Sequence, residues 1–263
     1  PCIVRMITKK TAAEITILEE AGGILARMLQ TIALEVAPGV PTIALDDCAM
    51  ELCERYAVTP ILLGYHPGFA PFPYPAAVCV SVNDCVQHGI PQEDLVLTAG
   101  DVVNIDMSIE HQGMVVDAGI TVGVGEISAE ARKLLAVTKE ALAKGIAAAQ
   151  PGQHIGDISH AIQTHVEGNG LSVVEVLCGH GVGYAVHEAP TIPNFGRPGT
   201  GPKIEVGHVY AIEPIVNLGR PDVYFDDAGD GYSVYTEDGS WSAHFEHTVA
   251  ITAAGPKILT KAK

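Results

Sequence analysis

Two aspartates lie in neighbouring segments that alternate apolar and polar residues, as strands do. Asp106 shares one face of its segment with other polar side chains, and a short turn leads to the segment of Asp117. If His111 and Gln112 form the loop of that turn, Asp106 pairs directly with Asp117. Directly opposed residues have Cβ atoms about 4.5–5.5 Å apart. The pair therefore predicts a shared proton, a cation between the carboxylates, or two solvated side chains on an exposed face.

Three further residues of metal-binding type stand in strand-like, apolar surroundings. His180 lies between two glycines, which permit close approach of the backbone to a ligand. Glu213 and Glu246 each interrupt an apolar run, where a glutamate is seldom buried without a partner. A salt bridge is the ordinary alternative, but the chain has only 15 lysines and arginines, and none lies within these runs. The three residues are candidate metal ligands, with a packed structural role as the alternative for the histidine.

The combined set of donors has the chemistry of a divalent metal centre. Carboxylate and imidazole ligands suit divalent ions, and carboxylates can bridge two ions held about 3.5–4 Å apart. The set contains no thiolate, which favours Mn, Fe, Co or Zn over Cu without choosing among them. The candidate ligands are Asp106, Asp117, His180, Glu213 and Glu246.

The overall composition is that of a globular, acidic protein. The chain has 263 residues, 48% of them hydrophobic, and a net charge of −16. This charge argues against nucleic-acid binding and against anionic membrane surfaces. The longest segment without charged residues, 56–83, contains five prolines and is not predicted to span a membrane. The six cysteines lack a C-x-x-C pair and no secretory signal is visible, so we expect free thiols and a cytoplasmic location.

Hydrophobic periodicity and helix-stop signals predict the elements that position these residues. Helices are predicted for 11–37, 42–58, 129–149 and 155–168, with Thr42 and Ser128 as N-caps. Strands are predicted for 78–82, 85–90, 101–109, 114–122 and within 172–251, with a proline-rich loop at 60–75. A Pro-Gly helix stop occurs twice, at 38–39 and at 151–152. This repeat favours two α+β halves around one mostly antiparallel sheet, with the site where the halves meet.

The motifs together resemble those of the type I methionine aminopeptidases. The resemblance extends from about residue 10 to residue 255 and rests on Ser81–Asp84, His88–Pro91, Gly100–Asp106, Asp117, Gly179–Gly181, Ile212–Pro214 and Glu246–Thr248. The short separation between His180 and Glu213 favours type I, because type II enzymes carry a large insertion there.

The resemblance implies a fold and a metal content. The fold is the pita-bread fold, an α+β architecture with two pseudo-symmetric halves and a curved, mostly antiparallel sheet covered by helices. We expect one metallopeptidase domain over 1–263, with halves at about 11–125 and 126–255. The family has a dinuclear centre, and its ligand positions match the five candidates above, with Asp117 and Glu246 bridging the two ions.

The resemblance also implies an activity and further site residues. The activity is removal of the initiator methionine from peptides and nascent proteins with a small second residue, by a hydroxide shared between the metals. Glu213 then moves the water's proton, and His88 and His187 match the two other active-site histidines, which contact substrate. By position, Tyr65, Cys79 and Tyr232 resemble residues that line the methionine pocket.

Two segments depart from the family pattern. Residues 66–78 form a longer loop than usual beside the expected pocket, so we expect them to shape its entrance. Residues 222–238 contain six acidic residues and no lysine or arginine. A segment of this charge is not suited to transient ribosome association, and the basic residues at 132, 133, 139 and 144 are the alternative.

Two other functions fit the same residues. An Xaa-Pro peptidase of the same fold normally carries a large additional N-terminal domain, whereas about ten residues precede the first helix here. A non-catalytic binding module that kept the fold usually shows substitutions at ligand positions, and all five positions here can bind metal. We expect a monomer, because no coiled-coil or exposed edge pattern is evident.

Overall fold

The computed structural model describes residues 7–68 and 70–262. Within these ranges the chain forms four α-helices, namely α1 (Ala12–Leu34), α2 (Ile43–Tyr56), α3 (Ala129–Ala148) and α4 (Ile155–Gly168). The four predicted helices are confirmed, with ends within three residues of the predicted bounds. Thr11 and Glu14 form a capping box on α1, and Ser128 caps α3. Thr42 precedes α2 as predicted, but its hydroxyl bonds to Gln92 and does not cap the helix.

The described ranges also contain fifteen strands. In chain order they are β1 (Thr59–Pro60), β2 (Cys79–Val82), β3 (Cys85–Gln87), β4 (Val102–His111), β5 (Met114–Gly123), β6 (Ser172–Val173), β7 (Cys178–Gly181), β8 (Glu188–Pro193), β9 (Val209–Ile212), β10 (Ile215–Asn217), β11 (Val223–Phe225), β12 (Val234–Thr236), β13 (Ser242–His244), β14 (His247–Thr252) and β15 (Gly255–Ile258). Most of the strands are short, and the predicted strand at 85–90 ends at Gln87.

The strands form antiparallel sheets, as predicted for an α+β protein, but they divide into four hydrogen-bonded groups. One has the order β1-β4-β2, with β5 also on β4, and the largest has the order β15-β14-β9-β7-β8. The two smaller sheets have the orders β13-β10-β6 and β11-β12-β3. The single sheet expected from the sequence is thus built from shorter sheets in contact.

The loop between β4 and β5 differs from the predicted loop by one residue. The prediction used His111 and Gln112, whereas the loop consists of Gln112 and Gly113. Both have positive φ, 51° and 79°, as a type I′ turn requires. Glycine adopts this conformation without steric cost, which places it inside the two-residue loop and not after it.

This shift of the loop changes the pairing of the two aspartates, and the predicted direct pairing is wrong. Asp117 lies opposite Ser108, and Asp106 lies opposite Gly119. The two aspartates therefore remain on the same face of the sheet as diagonal neighbours. Diagonal positions are typically about 7–8 Å apart, still within reach of one another through long side chains or a shared ligand.

Two apolar cores lie beneath the helices. In the first, α1 packs on β4 and β5 and its buried side chains contact those of α2 and β2. In the second, α3 and α4 pack against each other, and α3 also contacts β10 and β13. β5 contacts β13 and β14, so elements from the first half and the last quarter of the chain meet directly. The predicted boundary between halves, near residue 125, stays a prediction.

The structure bears on two predictions from the sequence, the absence of a membrane-spanning segment and the presence of free cysteines. No helix within residues 7–68 and 70–262 is both long and apolar enough to cross a membrane. The five cysteines in this part of the chain are free, as predicted, and Cys2 lies outside the described residues.

Candidate active site

A cavity of about 720 Å³ lies between β4, β5 and the sheet that contains β7 and β9. Its lining includes all ten residues that the sequence analysis selected: Tyr65, Cys79, His88, Asp106, Asp117, His180, His187, Glu213, Tyr232 and Glu246. Residues separated by up to about 180 positions in the chain therefore share one concave site.

Hydrogen bonds between distant strands hold the candidate ligands together. Each ligand lies on or beside a strand: Asp106 on β4, Asp117 on β5, His180 on β7, Glu213 after β9 and Glu246 before β14. The Thr248 hydroxyl donates to the Asp117 carbonyl oxygen at 2.7 Å and accepts from the Asp117 amide at 2.9 Å. The Glu246 amide donates to the Gly119 carbonyl oxygen at 2.9 Å. These bonds join β5 to the β13–β14 segment directly at the site.

Three of the candidate ligands have donor atoms close enough together to share a metal ion. Donor atoms of Asp117, His180 and Glu246 all lie within 4.8 Å of one another. His180 Nε2 is also 3.4 Å from Glu213 Oε1. Because the Gly181 carbonyl, 3.0 Å from His180 Nδ1, can only accept a hydrogen bond, Nδ1 carries the ring proton. The unprotonated Nε2 therefore faces the carboxylates, as a metal ligand must.

Asp117, Glu213 and Glu246 are buried and Asp106 is half-buried, and within residues 7–68 and 70–262 no lysine or arginine forms an ion pair with any of the four. Burial, together with the charge of Asp117, raises the pKa of Asp106 well above its usual range. Burial and the neighbouring aspartates do the same for Glu213 and Glu246. Among the described residues, the only basic side chains within 4.0 Å of the Asp117, Glu213 and Glu246 carboxylates are His180 and His244, whose lowered pKa values of about 4 and about 3 leave them neutral at pH 7.

These observations fit divalent cations at the site. Glu246 Oε1 is buried without a hydrogen-bond partner in the described part of the chain. A buried acceptor in that state is costly unless a ligand satisfies it. Four converging carboxylates repel one another unless bound protons or cations neutralise their charge. Oxygen and imidazole donors are also the ligand types that such cations prefer.

Two polar residues support Asp117 and Glu213 and were not selected from the sequence. The Ser108 hydroxyl donates to Asp117 Oδ1 at 2.8 Å, and Gln87 Nε2 donates to Glu213 Oε2 at 3.2 Å. Strand alternation would have identified the serine, since it shares a face with Asp106. No signal in the sequence identified the glutamine, because its partner lies 126 residues away.

His244 is a third residue that the sequence analysis did not select. Its side chain is fully buried, and its Nε2 lies 3.8 Å from Glu213 Oε2 and 3.9 Å from Glu246 Oε2. Burial lowers its pKa to about 3, and the nearby histidines act in the same direction, so the ring is neutral. Gly119 leaves the space that this ring occupies, since a Cβ there would lie 2.7 Å from the ring carbon Cε1.

His187 lies between a tyrosine and the candidate ligand histidine. Its Nδ1 is 3.1 Å from the Tyr65 hydroxyl, and its ring centroid is 4.5 Å from that of His180. Burial and the second histidine lower the pKa of His187 to about 4, so it is neutral at pH 7. When the Tyr65 hydroxyl donates to Nδ1, the ring proton is on Nε2 and is available to a ligand.

His88 follows β3 directly and has an unusual backbone conformation. Its φ of +60° is in the left-handed region, which non-glycine residues adopt rarely and most often near functional sites. Burial lowers the pKa of this histidine to about 4, and the nearby His187 acts in the same direction. The structure thus presents a neutral imidazole to the cavity from a constrained position.

Aromatic side chains form the apolar side of the cavity. The Tyr232 ring packs edge-on against Tyr74 with centroids 5.0 Å apart. Cys79 is buried in the same cluster, where burial raises its thiol pKa well above the usual range, so it acts as an apolar group. These residues, with Tyr65, offer an uncharged surface to a ligand side chain.

The long loop at 66–78 packs on this cluster. Pro67 lines the cavity, and the Phe72 ring lies 5.6 Å from that of Tyr232, whose hydroxyl donates to the Phe72 carbonyl oxygen. Pro71 lies close against Gly231, where an added Cβ would meet the proline ring at 2.6 Å. Phe69 lies outside the described residues. The loop therefore contacts the pocket, and its effect on substrate entry stays a prediction.

Comparison with known families agrees with this site. Residues 16–253 match the model of metallopeptidase family M24, which is most of the chain. The carboxylates and the histidine of the site are donor types that can hold a metal ion. The chain belongs to metallopeptidase family M24.

Within this family the similarity is to methionine aminopeptidases. A curated methionine aminopeptidase of Clostridium perfringens is 46% identical over 258 residues, which are 98% of this chain and 100% of that protein. A crystal structure of methionine aminopeptidase from Thermotoga maritima matches with a TM-score of 0.93 at 40% identity, covering 97% of this chain and 100% of that one. The predicted family resemblance and the pita-bread fold are confirmed.

The fold is also shared with a prolidase. The structure from Pyrococcus horikoshii matches with a TM-score of 0.74 at 21% identity, and the match covers 97% of this chain and 64% of the prolidase. At this identity the likeness shows the fold alone.

Proposed function

We propose that this chain is a metal-dependent aminopeptidase that releases the N-terminal methionine from peptides and nascent proteins with a small second residue. The observation that carries the proposal is the convergence on one cavity of three buried carboxylates, one half-buried carboxylate and one imidazole, with no lysine or arginine paired to them in the described part of the chain. Similarity to methionine aminopeptidases over nearly the full length supports the choice of substrate.

The five donors Asp106, Asp117, His180, Glu213 and Glu246 would hold two divalent ions, with Asp117 and Glu246 shared between them. Co, Mn, Fe and Zn all suit this donor set. When bound, such ions supply Lewis acidity, which lowers the pKa of a coordinated water toward neutrality and polarises the peptide carbonyl. The chain's own residues orient the peptide and move the protons.

Glu213 is the proposed proton carrier. It takes a proton from the attacking water and returns it to the amine that leaves when the peptide C–N bond breaks. The hydrogen bond from Gln87 holds Glu213 Oε2, so the carboxylate keeps one orientation during this transfer. Removal of a general base of this kind typically costs about 10²- to 10⁴-fold in rate.

The two neutral histidines are proposed to bind the peptide. His187 donates from Nε2 to the scissile carbonyl oxygen, because Tyr65 occupies Nδ1. Such a donor contributes about 10²- to 10³-fold to turnover, since it stabilises charge that develops in the transition state. His88 contacts the peptide at or beyond the scissile nitrogen.

The apolar cluster is the proposed pocket for the methionine side chain. Tyr65, Cys79 and Tyr232 present uncharged surface to the cavity. A flexible thioether packs well against such aromatic groups. A pocket of this kind selects methionine over charged N-terminal residues, because desolvating a charge there is costly.

The test is a comparison of Glu213→Gln with Glu126→Gln, an exposed control. Both proteins are assayed on Met-Ala-Ser and on Xaa-Pro peptides, and their metal content is measured. We expect wild type and the control to cleave Met-Ala-Ser only, and Glu213→Gln to lose at least about 10²-fold in kcat. Turnover and metal content of Glu213→Gln near wild type would overturn the assignment.

The rival functions are outcomes of the same assay. Preferential cleavage of Xaa-Pro peptides would identify an Xaa-Pro peptidase. Metal binding without any turnover would identify a binding module. The six acidic residues of 222–238 argue against ribosome docking through that segment. The free cysteines of the described residues support the proposed cytoplasmic location. We propose a monomer, which sedimentation of the metal-loaded protein would test.

A further inference from the structure

The N-terminal segment is joined to the site by a buried ion pair. Lys10 Nζ lies 2.7 Å from Glu188 Oε2, and the two side chains are only 1% and 10% exposed. Glu188 directly follows His187 in the chain. A lysine is almost never buried unless it is paired, so its place in the fold depends on this contact.

The Glu188 carboxylate connects two separate segments of backbone. Its Oε1 accepts from the Tyr184 amide at 2.5 Å and from the Ala185 amide at 3.2 Å. Its Oε2 accepts from Lys10 and from the Thr8 hydroxyl. The carboxylate therefore fixes residues 182–187, here called the His187 loop, against residues 8–10.

Further contacts hold Lys10 in this position. Its ammonium lies 4.8 Å from the centroid of the Tyr184 ring, within cation–π range. Its stem fills the space beside Gly183, where an added Cβ would lie 2.3 Å from the lysine Cε. Its amide donates to the Gly207 carbonyl oxygen at 2.8 Å. The Tyr184 hydroxyl donates to Glu14 at the start of α1, so the same loop is tied to a helix as well.

The charges of the pair are maintained by their contacts. Burial lowers the pKa of Lys10, although Glu188 opposes this effect. Burial alone would raise the pKa of Glu188, but the hydrogen bonds from Lys10 and Thr8 outweigh it, and the pKa lies below its usual range. The lowered pKa of Glu188 keeps its carboxylate ionised at pH 7, and separating this buried carboxylate from the Lys10 ammonium at 2.7 Å is unfavourable.

We propose that Lys10 and Glu188 are positioning residues that hold His187 in its catalytic orientation. The proposal rests on the role proposed above for His187. The His187 ring makes a hydrogen bond with Tyr65 and edge contacts with the rings of Tyr65 and His180, and its backbone position depends on the loop. Because the neighbouring Glu188 bonds to two amides of this loop and to the N-terminal segment, loss of the ion pair frees the histidine backbone.

The chain contains a matched control for this pair. Lys9 Nζ lies 2.6 Å from Glu205 Oε2, a similar distance, in the residue directly before Lys10. These side chains are 55% and 50% exposed. An exposed pair contributes little, because water solvates both charges when they separate. Lys9→Met therefore removes a lysine from the same segment without releasing the loop.

The experiment is a double-mutant cycle on the metal-loaded enzyme. Lys10→Met, Lys9→Met, His187→Ala and the Lys10→Met/His187→Ala double variant are compared in kcat and KM on Met-Ala-Ser, with metal content measured in each. We expect Lys10→Met to lower kcat about 10- to 100-fold at unchanged metal content, as displacement of a catalytic group by about 1 Å does. Lys9→Met should stay within about twofold of wild type.

The cycle distinguishes positioning from general stability. If Lys10 acts through His187, Lys10→Met lowers kcat by less than about twofold in the His187→Ala background. An equal loss in both backgrounds would overturn the proposal, as would a Lys10→Met variant with wild-type kcat. If the single variant His187→Ala kept the kcat of wild type, the catalytic role proposed for His187 would be refuted. That result differs from an equal loss in both backgrounds, which would refute only the positioning role of Lys10.

A second variant covers the case in which Lys10→Met does not fold. Glu188→Gln keeps an oxygen that accepts from the Tyr184 and Ala185 amides but loses the charge that pairs with Lys10. We expect the same dependence on His187 in this variant, with kcat reduced and KM changed less than about threefold. Independent effects of Glu188→Gln and His187→Ala would contradict the proposal.

Discussion

In the metal-free protein, the substitution Glu213→Gln is expected to stabilise the fold even though it removes a metal ligand. Glu213 is buried with Asp106 and Asp117 as neighbours, and its pKa is well above the usual range for these reasons. A glutamine has the same shape without the charge. Its carbonyl oxygen can accept from Gln87, and its amide can donate to the unprotonated His180 Nε2, 3.4 Å away in the wild type.

The size of the effect follows from linkage between protonation and folding. The pKa of Glu213 is higher in the folded protein than in the unfolded chain. The contribution of Glu213 to folding stability is therefore fully present below the unfolded pKa and is lost as pH rises through the folded pKa. Each pH unit between the ordinary carboxyl pKa, about 4.3, and the raised folded pKa costs about 1.4 kcal/mol. At pH 7.5 we expect the free energy of unfolding of Glu213→Gln to exceed that of wild type by about 1–3 kcal/mol, which is the cost of an unsatisfied buried group.

The assay is urea unfolding of wild type, Glu213→Gln and the exposed control Glu126→Gln, with EDTA and with saturating metal. Without metal at pH 7.5, Glu213→Gln should unfold at higher urea and with a Tm higher by about 2–4 °C per kcal/mol. At pH 4.5 the difference should shrink, because the wild-type carboxyl is then protonated. With metal at 100 times Kd the advantage of Glu213→Gln should fall by about 2.7 kcal/mol, because binding stabilises wild type by that amount.

Two results would refute this reasoning. A metal-free Glu213→Gln that is less stable than wild type at pH 7.5 would mean that the ionised carboxylate has a stabilising partner. The same urea midpoint difference at pH 4.5 and pH 7.5 would mean that charge is not the cause. The control Glu126→Gln should match wild type in every condition, because the side chain is exposed.

Three further substitutions test the groups that support the ligands. Gln87→Leu removes the donor to Glu213, so we expect kcat/KM to fall about 10- to 100-fold and calorimetry to show weaker metal binding. Gln87→Glu should lower both kcat/KM and metal affinity further than Gln87→Leu. Gly119→Ala places a methyl group against the His244 ring and should cost about 1–3 kcal/mol in urea unfolding; an unchanged midpoint would show that the ring moves freely. Thr248→Val loses both hydrogen bonds to the strand of Asp117 and should cost about 1–3 kcal/mol, whereas the exposed Thr16→Val should cost less than about 0.5 kcal/mol.

The positions of helices and most strands follow from local patterns in the sequence. Ser128 begins α3 because its hydroxyl accepts from the Ala131 amide, a contact within one turn of helix. The Pro-Gly segments end the helices for equally local reasons, since proline lacks an amide hydrogen and glycine tolerates left-handed backbone. Such signals need no information from the rest of the chain.

The register of the β4–β5 hairpin was the local feature that the sequence analysis got wrong. The predicted loop, 111–112, and the observed loop, 112–113, both contain Gln112. The register of the hairpin depends on which of these two pairs of residues adopts positive φ. Placing Gly113 inside the loop would have given the correct pairing, with Ser108 opposite Asp117. The error moved the aspartates from diagonal to direct neighbours but left them on the same face, so the predicted metal site did not depend on it.

The identity of the candidate ligands could be proposed from residue types and motif order, because a carboxylate in an apolar run needs a partner wherever it lies. The residues that support these ligands could not be proposed in the same way. Gln87, His244 and Lys10 carry no distinguishing local pattern. Each contacts a residue more than 100 positions away in the chain, namely Glu213, Gln87 and Glu188 respectively. Burial, and with it the raised carboxyl pKa and the lowered histidine pKa, arises only when distant strands exclude water together. Residue chemistry and periodicity are local properties, whereas desolvation and electrostatic coupling depend on three-dimensional neighbours, so only the folded chain decides them.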